Sequence, residues 1–139
     1  MKNNIVLISV FLVGSSFCAA FGNSNSFAEC LKNCQEYYSS QTVSIPSVEL
    51  TTKRQILGLD KGLCRYKETI SSQNSVYTVN CKFDKQQRNS LAKVVEDFDN
   101  NPNNENFDMN DFDKVQNTEV YETWTKYLED PSICEISTQ

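Results

Sequence analysis

Between residues 48 and 83 apolar and polar side chains alternate with a period of two, and this alternation constrains the centre of the fold. Such a run reads as antiparallel strands with one buried and one solvated face. Asp60-Lys61-Gly62 is a tight-turn signal and residues 71–74 form a second turn, so three strands are predicted over residues 48–59, 63–70 and 75–83. Centring the second hairpin between Ser72 and Gln73 sets Cys64 opposite Cys81 and predicts a disulfide between them. Alternation then gathers Cys64, Tyr66, Ile70, Tyr77, Val79 and Cys81 on an apolar face, joined by Val48, Leu50 and Ile56. The other face carries Lys53, Gln55, Arg65, Lys67, Thr69, Thr78, Asn80 and Lys82. Glu68 falls on the apolar side beside Tyr77, near the hairpin end and within reach of water.

Helical periodicity flanks these strands. Ser26-Phe27-Ala28-Glu29 is a capping box, and Phe27, Cys30, Leu31, Cys34, Tyr37 and Tyr38 recur at three- and four-residue steps, predicting a first helix to about Tyr38. Asp84 with Gln87 starts a second helix that runs to about Phe98 on the stripe Leu91, Val94, Val95, Phe98. Residues 99–111, rich in Asn, are expected to be a flexible loop. A third helix covers residues 118–129, with Tyr121, Trp124, Tyr127 and Leu128 inward and a start that could reach back to Asp111. The predicted fold is therefore α+β: an N-terminal helix, a three-stranded antiparallel meander and two C-terminal helices packed on one sheet face, stapled by disulfides.

The N-terminus addresses the compartment. Lys2 followed by an apolar stretch over residues 5–17 has the n- and h-regions of a secretion signal, shorter than the roughly 20 residues a membrane helix needs. Small residues permit cleavage after Ala20 or Gly22, and Gly22 is favoured. Residues 1–22 are thus expected to be removed, leaving residues 23–139 as one domain, periplasmic or secreted, without a transmembrane anchor. Cys18 lacks the small preceding residue of a lipoprotein box and is read as part of the signal.

Composition removes several chemistries. The chain has no histidine, which excludes Ser-His-Asp and Cys-His catalysis and His-containing zinc sites. Four glycines, Gly14, Gly22, Gly58 and Gly62, form no phosphate-cradling loop. Residues 84–139 hold 5 basic against 13 acidic side chains, a balance that opposes nucleic acid. No cofactor is implied.

Five cysteines remain after signal removal, and an exported chain oxidises its cysteines in pairs, so two bonds and one leftover thiol are expected. Beyond Cys64 with Cys81, Cys134 is expected to join Cys30 or Cys34. Cys30 and Cys34, one helical turn apart, could alternatively bind Cu(I) or act as a redox pair, although the redox motif is Cys-x2-Cys and copper sites recruit His or Met, of which only Met109 is present. Asp97, Asp99, Asn101, Asn103, Glu105 and Asp108 follow calcium-loop spacing, but Pro102 stands where that loop needs Gly, so a solvated acidic loop is the expectation. Paired carboxylates could serve a histidine-independent hydrolase.

Lys53, Arg65, Lys67 and Lys82 form a basic sheet face in an otherwise acidic chain and are the candidate binding surface. The export signal, the helix bearing Cys30 and Cys34, and the segments LGLDKGLCRYKE and YTVNCKF before a helix resemble small exported bacterial proteins of unassigned function, over residues 27–98. That resemblance implies a periplasmic setting and no activity. The leading expectation is a non-catalytic exported protein that binds another macromolecule, as an envelope accessory or an inhibitor. The thiol or soft-metal protein and the carboxylate hydrolase are the alternatives.

Overall fold

The structure is a computed structural model that describes residues 26–45, 48–104, 107 and 111–139. The expected signal segment, Met109, Glu105 and Asp108 lie outside the described residues. In chain order the elements are α1 (Phe27–Asn33), β1 (Tyr37–Ile45), β2 (Val48–Asp60), β3 (Leu63–Ser71), β4 (Val76–Phe83), α2 (Lys85–Asp99), α3 (Phe112–Gln116), α4 (Glu119–Leu128) and β5 (Cys134–Thr138). A 3-10 turn, Pro102–Asn104, lies within the Asn-rich stretch. No helix among the described residues is long and apolar enough to cross a membrane.

Among the described residues the sheet has five antiparallel strands in the order β1-β2-β3-β4-β5, which corrects the expected three-stranded meander. The extra strands arise from two departures. Helix α1 ends at Asn33 because Cys34 adopts the left-handed conformation (φ 49°), where its N–H and that of Gln35 bond back to Leu31 and Cys30 carbonyls. That conformation is uncommon outside Gly and Asn, so the helical spacing of Tyr37 and Tyr38 misleads. Tyr37 is buried and Tyr38 exposed because both belong to a strand. At the other end, the five residues of β5 return along β4 and pair Cys134 with Cys81.

Both hairpin turns form, the first as a two-residue loop in which Lys61 and Gly62 have φ of 51° and 80°, suited to the twist of the flanking strands. The second is centred one residue later than expected. Ser71 pairs with Val76, and Ser72 is closed onto Ser75 through both backbone and hydroxyls. This slip moves Cys64 opposite Phe83 and Tyr66 opposite Cys81, a shift of two along the partner strand that leaves every side chain on its expected face. Cys64 and Cys81 consequently do not bond to each other. Among the described residues, disulfides join Cys34 to Cys64, which ties the end of α1 to β3, and Cys81 to Cys134, which joins β4 to β5. The expected link from Cys134 to Cys30 or Cys34 is corrected with it.

Helices cover one face of the sheet. Phe27 of α1 and Trp124 of α4 both stand edge-on to Tyr66, with ring centroids 6.3 and 5.4 Å away, and Trp124 and Tyr127 pack on Phe83. Leu91 and Val95 of α2 enter the same core. Asp84 and Gln87 form the full capping box of α2, and Thr118 caps α4 by accepting from the Tyr121 N–H. The possible early start of the last helix is instead the separate helix α3, capped by Asp111. Ile56 is buried as expected, whereas Val48, at the sheet's end, is 43% exposed.

Candidate functional site

Alternation carries Lys53 of β2, Arg65 and Lys67 of β3 and Lys82 of β4 to the uncovered face of the sheet, where Lys53, Arg65 and Lys82 are exposed and Lys67 half-buried. Arg65 stands directly opposite Lys82. Like charges at directly opposed positions weaken a strand pair, on a scale of roughly 0.2–1 kcal/mol. Lys67 lies between Gln55 and Asn80, and Lys53 between Ser40 and Thr69, so neutral polar residues flank these two, while Glu135, opposite Asn80, stands diagonal to Lys82. Among the described residues none of the four forms an ion pair, while Arg54, Lys93 and Lys114 each do.

Beside this quartet the surface dips. A hollow of about 310 Å3 is lined by Leu57, Arg65, Asn80, Lys82, Ile133 and Glu135 and backed by the Cys81–Cys134 bond. Leu57 is there because of a β-bulge. Ile56 pairs with Tyr66 and Gly58 with Arg65, leaving Leu57 as the extra residue. Gly58 has φ 92°, a backbone conformation that favours glycine, and Leu57 is 40% exposed.

Every cysteine among the described residues is disulfide-bonded, so they offer no dithiol and the expected leftover thiol is corrected. Cys34 is bonded to Cys64, and Cys30 is buried and disulfide-bonded as well, to neither Cys34 nor Cys134. Two sulfurs one helical turn apart are therefore not presented together to a metal or a redox partner. In the Asn-rich stretch, Asp97 pairs with Lys93 and the Asn101 side chain accepts from the Asn103 N–H. No cluster of three or more metal-ligating side chains occurs among the described residues.

Glu68 does not escape to water. It is fully buried, accepts a 2.5 Å hydrogen bond from the Tyr66 hydroxyl and lies 3.6 Å from Arg54 Nε. Burial, reinforced by the neighbouring Glu68 charge, holds the Tyr66 hydroxyl well above the ordinary tyrosine range. The Arg54 guanidinium lies over the Phe27 ring at 5.4 Å, while its Nη2, the Thr52 hydroxyl and the Tyr37 hydroxyl are buried without hydrogen-bond partners. Sequence reading missed Arg54, although its parity with Ile56 on one strand was a sufficient signal. No other acid among the described residues is buried, so the pair of carboxylates a glycosidase needs is not assembled around Glu68.

No protein-family model matches the chain, and neither does any curated protein or solved structure.

Proposed function

We propose that the protein is a non-catalytic binding domain that docks an acidic surface of another protein on the open face of its sheet, in the periplasm or outside the cell. The Cys34–Cys64 and Cys81–Cys134 disulfides fit an oxidising, extracytoplasmic compartment. The observation that carries the reading is the Arg65–Lys82 opposition at the rim of a hollow, where neither cation forms an ion pair among the described residues although Glu135 lines the same hollow. A carboxylate brought by a partner relieves the repulsion, and the hollow gives its side chain a seat. Nucleic acid fits less well because the chain as a whole is acidic, with a net charge of −5.

Polyglutamate is a suitable first probe, measured by calorimetry on the oxidised protein at low and physiological salt. The expected result is binding that weakens with salt and drops about tenfold or more when Lys53, Arg65, Lys67 and Lys82 are all replaced by Gln. Duplex DNA should bind more weakly than polyglutamate. Equal binding by the fourfold variant, or no binding by the parent, overturns the reading.

A further inference from the structure

The edges of the sheet are unlike one another. At one side β5 presents five residues and carries Glu135. At the other, β1 presents nine residues, YYSSQTVSI, with no charged residue and no proline. Its pairing with β2 runs through nine consecutive residue pairs with no register shift, so no bulge twists the strand away. Among the described residues no strand pairs with its outer edge. Sheet proteins guard such edges with lysine, proline, bulges or shortness, because a long regular edge offers alternate N–H and C=O groups to any strand that approaches. Strand β1 has none of these guards.

We propose that β1 is the interface for a second copy of this chain, joined edge to edge in antiparallel fashion about a two-fold axis. The occupant is a second copy because the strand is self-complementary in length and charge. Full overlap of the nine residues places the axis at Gln41 and sets Tyr37 opposite Ile45 of the other copy, and with no charge on the strand no like-charged pair arises. An axis perpendicular to the sheet keeps both helical layers on one side. The two uncovered faces then join into a single ten-stranded surface bearing two basic quartets. The inference goes beyond the binding role proposed above and stands without it.

Sedimentation velocity on the oxidised protein over a concentration series tests this. A concentration-dependent dimer is expected, and its stability should hold or rise with salt, since both copies carry net negative charge. Gln41→Lys and Gln41→Glu each set like charges face to face at the axis and should raise the dissociation constant roughly fivefold or more. Gln41 is exposed, so both variants should keep the parent's circular dichroism spectrum. Mixing the two variants should restore the dimer through opposite charges. A parent that stays monomeric into the hundred-micromolar range, variants that dimerise as well as the parent, or a mixture that fails to recover overturns the proposal. Polyglutamate binding by a monomeric Gln41→Lys variant would show the basic face to be independent of the edge.

Discussion

Arg54 and Glu68 oppose each other across β2 and β3 with their side chains 3% and 0% exposed. A charge pair in a core gains its attraction only after both ions lose water, so its worth is asymmetric: intact, it is close to neutral, and broken, it is costly. Glu68→Gln leaves the Arg54 guanidinium without a counter-charge over Phe27, and about 3–5 kcal/mol should be lost in urea denaturation. Replacing the pair together, Arg54→Met with Glu68→Leu, should recover most of that loss. Equal destabilisation by the single and double variants would contradict this account.

Tyr66 predicts alkaline sensitivity. Its folded pKa is raised by burial and by Glu68, so its stabilising contribution is complete below the unfolded tyrosine value and is lost as pH climbs toward the folded one. Unfolding midpoints should therefore fall as pH rises above about 10. Tyr66→Phe should flatten that fall, at the expense of the hydrogen bond to Glu68.

The Cys34–Cys64 and Cys81–Cys134 cross-links close separations of 30 and 53 residues. Loop-closure entropy makes each worth roughly 3.5–4 kcal/mol, the longer slightly more. Non-reducing peptide maps should recover Cys34 with Cys64 and Cys81 with Cys134. Removing either pair by Ser substitution should lower stability by an amount of that order.

At the start of α2, Asp84→Ala removes the acceptor for the Gln87 N–H and should cost about 1 kcal/mol in thermal or chemical unfolding. Gln87→Ala deletes the reciprocal bond to the Asp84 N–H and should cost less.

The middle of the fold was legible because alternation is a strong signal where one face of a sheet is buried. Lys53, Arg65, Lys67 and Lys82 lie on the open face and Tyr66, Val79 and Cys81 inside, as the parity of their positions required. The partner along each strand was not legible, since a shift of two residues preserves parity. That freedom is why the Cys64–Cys81 pairing failed while the face assignments stood. Cys34 hid the end of α1, because a left-handed cysteine has no sequence mark and its disulfide to Cys64 holds it in place. Strand β5 escaped notice because five residues with one buried cysteine carry almost no periodicity. At the binding face the cations could be read from the sequence, but the hollow beside them could not, since it depends on the bulge at Leu57 and on the return of β5.

The bond between Cys81 and Cys134 also has a topological consequence. The chain leaves the sheet after Phe83, passes through α2, α3 and α4, and comes back to the neighbouring strand, so the entire helical excursion is a covalent ring sealed at its neck. A protease that nicks the Asn-rich stretch between α2 and α3 opens the ring without releasing a fragment. Only a reductant then separates the pieces.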